Sequence, residues 1–215
     1  MATENKKPFI HKIVSSGFFW VIFWSLSFGF PLLRALNRDL PKPLPVYGQL
    51  PSFELLTEDN LAFKRSDLKK KVTIAQFIFL NCPTVCKKNL NLMKKIQKRV
   101  KGLGTKVSLL SFTVDPVNDD PKRMFKEARS LKANPFVWKF ITGEESNITG
   151  LLTEGFKVPV GDKTYSKNIY DIAHSEKFVL IDQDANIRGY YGNKKDDINK
   201  LMIDVGLLVN QAFNN

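Results

Sequence analysis

Two cysteines four positions apart, Cys82 and Cys86, stand in the run FIFLNCPTVCKKNL, and the chain of 215 residues has no others. The β-branched and aromatic run before them reads as a buried strand. The run after them carries apolar residues at a helical period, so the pair falls where a strand hands over to the first turn of a helix. Residues i and i+4 share one helix face, and both sulfurs can reach a single atom between them. The N-terminal end of a helix favours thiolate over thiol, and Lys87 and Lys88 add positive charge. Such a pair is built to react: it can close reversibly as a disulfide or clamp a soft metal ion. A static disulfide is the plain alternative, which an oxidising compartment permits. It would close so short a loop that it staples nothing remote and adds little to a fold of this size. The oxidoreductase spacing is usually C-x-x-C, and the extra residue turns the reading away from a pure thioredoxin role.

Histidine supplies a third donor. The chain has two histidines, His11 and His174. His11 precedes an apolar span, which leaves His174, in DIAHSEKFVLID, on the side of the cysteines. A lone histidine is more often a packed or surface residue than a ligand. Here the approach to it, Gly155 to Ala173, is long and irregular, as functional loops tend to be. Two thiolates and an imidazole form a soft donor set suited to copper or zinc. A structural zinc site calls for a fourth ligand, for which no Cys or His is spare. Copper, as Cu(I) or Cu(II), tolerates three-coordination and is favoured.

The elements that must position these residues alternate in type. Val72–Phe79 and Lys106–Val114 read as strands buried on both faces. A helix is expected over Pro83–Lys101, with Leu90, Met93, Ile96 and Val100 on one face. Pro121–Leu131 is a second helix with proline at its start. A short strand over Phe136–Ile141 and a helix over Glu144–Glu154 follow. Ser175–Ile181 and Asn186–Tyr191 form a hairpin about Asp182-Gln183-Asp184, and Asp196–Phe213 closes as an amphipathic helix. Phe53–Leu56 and Leu61–Phe63 form an added hairpin before the first buried strand. The string predicts an α/β fold, a mixed sheet sandwiched by helices in a thioredoxin-like order.

The N-terminal part is of another kind. Ile13–Leu33 is uncharged and includes Phe18, Trp20, Trp24 and Phe28, long enough to span a bilayer as a helix. No small-x-small cleavage site follows it, so it reads as an uncleaved anchor. Lys6, Lys7 and Lys12 on one side and Arg34, Arg38 and Lys42 on the other leave the positive-inside count nearly tied. Leu40–Pro51 has four prolines and describes a semi-rigid spacer. The expected organisation is a tail over 1–12, a transmembrane anchor over 13–33, a proline-rich linker over 34–51 and a folded domain over 52–215. The net charge of +12 comes from scattered lysines. With no nucleic-acid motif and few arginines, it excludes a nucleic-acid module. Ordinary lysine bias explains it more simply than adhesion to lipid or an acidic partner.

Four segments, FIFLNCPTVCKKNL, SFTVDPVNDDP, WKFITG and AHSEKFVLIDQDANIRGYY, resemble the Sco (SenC) proteins in order and spacing, from about Gly48 to the C-terminus. The resemblance implies a thioredoxin-like domain that helps assemble the binuclear copper centre of cytochrome c oxidase subunit II. It implies Cys82, Cys86 and His174 as the metal ligands. Lys87 stands where the family usually has proline, and Leu80-Asn81 where it usually has Thr-x; neither is a ligand position. Asp115 matches a recurrent family aspartate, although a strand-ending turn residue is the simpler reading of it. The expected function is a membrane-anchored copper chaperone. The alternative is a thiol–disulfide oxidoreductase, using Cys82 and Cys86 as a redox pair, that keeps the client's cysteines reduced and is served by a thioredoxin-like reductant. Without an Arg-rich transit peptide, the expected site is the bacterial inner membrane with the domain in the periplasm. The alternative is the mitochondrial inner membrane, facing the intermembrane space.

Overall fold

The protein is described by a computed structural model over residues 14–36, 43–81, 85–158 and 176–213, with Val85, Cys86 and Phe213 described in their backbone alone. Two compact units divide the chain, Met1–Lys42 and Pro43–Asn215.

Among its described residues the first unit forms one helix, α1 (Gly17–Leu36), 20 residues long with none of its apolar stretch buried. Phe18, Trp24 and Phe28 are exposed along it, as a lipid-facing surface requires. It is long and apolar enough to cross a membrane. A π-helical turn occupies Ser25–Gly29, ending two residues before Pro31. Proline lacks the N–H that an α-helix needs and crowds the preceding turn, which accounts for the local rewinding.

The second unit is built on an eight-stranded sheet in the order β1-β8-β7-β4-β5-β6-β2-β3. Its strands are β1 (Gly48–Gln49), β2 (Glu54–Thr57), β3 (Ala62–Lys64), β4 (Val72–Ile78), β5 (Val107–Thr113), β6 (Trp138–Thr142), β7 (Phe178–Ile181) and β8 (Asn186–Tyr191). The central β4, β5 and β6 run parallel, while β7 pairs antiparallel with β4 and β8 with β7. Every residue of β4 is buried, Thr73 and Gln76 among them, which is why it reads as a near-continuous β-branched and aromatic run. Its helices are α2 (Val85–Val100), α3 (Pro121–Ser130), α4 (Glu145–Gly150) and α5 (Lys195–Phe213).

Two apolar layers sandwich the sheet. On one face Ile74 and Ile78 of β4 meet Met93 and Ile96 of α2, Met124 of α3 and Leu201 and Val205 of α5. On the other, Ala75 and Phe77 meet Ile148, Leu151, Leu152 and Phe156. The expected mixed sheet flanked by helices is borne out. The added hairpin is present as β2 and β3, with Leu55 opposite Phe63.

Three details differ from the sequence-based expectation. The Phe136 strand starts at Trp138, because the N–H groups of Val137 and Trp138 donate to the Asn134 carbonyl at 2.9 and 2.8 Å and hold a turn there. The helix expected to reach Glu154 is α-helical only to Gly150 and continues as a π-turn over Leu151–Gly155. The end of the proline-rich stretch joins the sheet as β1: the N–H of Tyr47 donates to the Ile187 carbonyl and that of Leu50 to the Ala185 carbonyl, both at 2.9 Å.

Glu58, beyond β2, is buried at 6 % exposure. Its Oε2 accepts the N–H of Phe140 at 2.9 Å. Burial pushes its carboxyl above the ordinary value of 4.5, against the pull of that N–H and of Lys139. A raised folded-state value means its contribution to stability is fully present below 4.5 and is lost as pH rises through the folded value. The stability of the native chain relative to a Glu58→Gln variant should therefore fall as pH is raised from below 4.5, as measured by denaturant unfolding across a pH series.

Candidate functional site

The C-terminal ends of the parallel strands form the edge at which α/β sheets place their sites. Here β4 leaves the sheet, runs through Phe79, Leu80 and Asn81, and enters α2. Cys82 and His174 lie outside the described residues, and Cys86 is placed by its backbone in the first turn of α2. The expected helix from Pro83 is observed from Val85. Among the described residues no group of three or more His, Cys, Asp or Glu gathers as a metal site. Lys87 and Lys88 follow Cys86 and are exposed.

What is described is how the corner before Cys82 is held. The loop after β5 folds over it. The N–H of Val114 donates to the Ile78 carbonyl at 2.8 Å, extending the β4–β5 pairing by one rung. Asp119, fully buried, turns its Oδ2 to two donors, the N–H of Leu80 at 3.0 Å and the hydroxyl of Thr113 at 2.7 Å. Its carbonyl accepts the hydroxyl of Thr142 at 2.8 Å, which adds β6 to the anchor. Asp119 Oδ1 lacks an aligned hydrogen bond and has the Arg123 guanidinium at 3.3 Å as its compensating charge. Arg123 also donates to Asn81 Oδ1 at 2.7 Å and to the Asn118 carbonyl at 3.1 Å. Both residues before Cys82 are thus fixed to α3 and the β5 loop.

Burial pushes the Asp119 carboxyl above its ordinary 3.8, while the Thr113 hydroxyl, the Leu80 N–H and Arg123 pull it back. Asp115 is the turn builder its sequence context indicated. Its N–H donates to Thr113 Oγ1 at 2.9 Å, and its carboxylate accepts the Asn118 amide at 3.0 Å. Asp120 caps α3 by accepting the N–H of Arg123 at 2.7 Å, which is the function of an aspartate before a proline-initiated helix. Sequence reasoning passed over Asp119, because three aspartates in DPVNDDP are equivalent as letters and only the packing makes this one the anchor.

The chain after His174 is described again from Glu176, which takes a left-handed backbone at φ 55°. Its carboxylate accepts the side-chain amide of Asn193 at 2.6 Å, and the same amide donates to Asn89 of α2 at 3.2 Å. The hairpin that follows is organised by Asp182, whose Oδ1 accepts the N–H groups of Asp184 and Asn186 at 3.0 and 2.9 Å.

A mixed sheet with parallel centre, helices on both faces and a C-x-x-x-C motif between central strand and helix define a thioredoxin-like domain. The family model described as SCO1/SenC matches residues 47–207, and the chain belongs to that family. It is 29 % identical over 163 residues to the SCO1 protein homolog of Bacillus subtilis, covering 75 % of this chain and 83 % of that one. The crystal structure of a SCO1/SenC family lipoprotein from Bacillus anthracis superposes with a TM-score of 0.65 at 28 % identity, over 79 % of this chain and 99 % of that one. BsSco, described as having a disulfide switch and as a member of the Sco family of cytochrome c oxidase assembly proteins, superposes at 0.63 with 26 % identity, over 80 % and 98 %. ScoI of Bradyrhizobium japonicum, solved with copper bound, shares the fold at a TM-score of 0.58 and 21 % identity, over 74 % and 99 %.

Proposed function

We propose that this chain is a membrane-anchored copper chaperone that holds copper through Cys82, Cys86 and His174. It delivers the ion to the binuclear copper centre of cytochrome c oxidase subunit II. The carrying observation is the anchored corner: Asp119 and Arg123 fix Leu80 and Asn81, so the motif that starts at Cys82 leaves a rigid base. Family membership and the soft donor chemistry of two thiolates and an imidazole support copper as the cargo. Helix α1 anchors the chain, and the domain faces the periplasm.

Delivery is ligand exchange. The client's thiolates replace those of Cys82 and Cys86 one at a time, and no electron need move. Loading requires both cysteines reduced, since a disulfide offers no thiolate. That requirement favours a second reading of the same pair, given that a relative is described by a disulfide switch. In that reading Cys82 and Cys86 pass two electrons and two protons to a client disulfide, form their own disulfide, and are reset by a thioredoxin-like dithiol.

The two readings separate in a transfer experiment. The copper-loaded full chain in detergent is mixed with the metal-free, reduced copper-centre domain of a subunit II, and copper is quantified on each protein after separation. Stoichiometric movement to the client is expected. Copper retained by the chain, together with rapid reduction of an oxidised client by the copper-free chain, would select the reductase instead.

A further inference from the structure

The lysines that lie scattered along the sequence converge in the fold. Because β4, β5 and β6 are parallel neighbours, their N-terminal ends lie side by side, about 4.8 Å apart. They form one pole of the domain, opposite the edge where β4 runs into α2. A basic segment leads into each strand. Lys69 and Lys70 precede β4, Lys98 and Lys101 bring the end of α2 back toward β5, and Lys132 precedes β6; all five are exposed. Among the described residues none of the five has an ion pair. From Lys98 to Lys106 and from Ser130 to Val137 the sequence has no acid. Asp67 before β4 and Asp184 in the neighbouring β7–β8 turn are outnumbered by these cations. The loop into β6 also presents Phe136, at 83 % the most exposed large apolar side chain among the described residues. Its N–H donates to Asn134 Oδ1 at 3.0 Å. Gln97 of α2 clips that loop to the helix, accepting the Asn134 N–H at 2.8 Å and donating to the Lys132 carbonyl at 3.3 Å. Phe136 is thus held beside the lysines.

We infer that this pole docks on an anionic lipid surface, with the Phe136 ring seated at the headgroup boundary. Lysines near such a surface are attracted cumulatively, about fivefold in binding for each, and salt screens that attraction. An acidic protein would satisfy the charges alone. Cations around a held, solvent-facing aromatic ring are the combination that interfacial binding uses. The chain also carries α1, long and apolar enough to cross a membrane, and a tether of that kind raises the effective concentration of lipid at the domain.

The test is lysine acylation of the full chain in lipid nanodiscs, read site by site by mass spectrometry. One set of discs is phosphatidylcholine alone, the other an equal mixture with phosphatidylglycerol. In the anionic discs Lys69, Lys98, Lys101 and Lys132 should react more slowly by about fivefold or more, and high salt should restore them. Lys194 and Lys195, at the far end of β8, should react alike in both. Lys98→Gln with Lys101→Gln should return Lys69 and Lys132 most of the way to the neutral-disc rate, and Phe136→Ser should weaken the protection at low salt. Both variants change exposed side chains, and thermal unfolding checks that each is folded. Equal rates in the two discs would overturn the inference. Equal protection of Lys194 and Lys195 would also overturn it, showing general attraction of a basic chain. Protection indifferent to Phe136→Ser would remove the ring from the surface. Protection by soluble polyglutamate in neutral discs, with none from phosphatidylglycerol, would assign the pole to an acidic protein instead.

Discussion

Replacing Asp119 by alanine should cost the domain about 2–6 kcal/mol, read by denaturant unfolding. The figure follows from the groups it would orphan. The Leu80 N–H and the buried Thr113 hydroxyl both donate to its Oδ2, and each donor left unsatisfied costs about 1–3 kcal/mol. The Arg123 guanidinium would lose its partner too, but it is partly exposed and can turn to water. Against a typical total of about 5–15 kcal/mol the loss is large. Asp119→Asn distinguishes the hydrogen bonds from the charge. It keeps an oxygen for the two donors and forgoes the burial penalty that raises the native carboxyl, while placing an amide N–H₂ near Arg123. It should lose clearly less than alanine. Equal losses in both variants would show that the ion pair with Arg123, rather than the Oδ2 hydrogen bonds, holds the corner.

The second large effect concerns the cysteines. Cys82→Ser or Cys86→Ser should each abolish stoichiometric copper binding, since a hydroxyl at neutral pH is no substitute for a thiolate toward a soft ion. Each should also abolish disulfide formation within the chain, which needs both sulfurs. His174→Ala should separate the two activities: copper binding weakens while Cys82 and Cys86 still cycle, because thiol exchange needs no imidazole. Copper binding assayed on the reduced variants, together with thiol counting, checks the whole set.

The parts of this fold that depend on burial period are legible in the amino-acid sequence. The near-continuous β-branched and aromatic run of Val72–Ile78 marks a strand covered on both faces, and Ile74 and Phe77 pack one in each layer. The lysine-flanked row Leu90, Met93, Ile96 and Val100 marks a helix with one buried face, as observed. Elements set by pairing rather than by side-chain pattern are not legible there. Gly48–Gln49 joins the sheet because an edge of β8 is available to it, and two residues in a proline-rich stretch carry no alternation to announce that. The C-x-x-x-C motif announces its chemistry by residue type alone, and so does the single histidine on its side of the anchor. The supports of the site do not. Asp119 is separated by 39 residues from the N–H it accepts. A side-chain hydrogen bond of that span leaves no local signature, because nothing in the neighbouring sequence must change to permit it.

The most direct test of the central claim is a copper titration of the reduced full chain in detergent, native and His174→Ala side by side. One Cu(I) per native chain is expected, bound tightly, with a large loss of affinity in the variant. Weak binding that is indifferent to His174, beside a readily cycled Cys82–Cys86 disulfide, would contradict it and leave a thiol reductase in the chaperone's place.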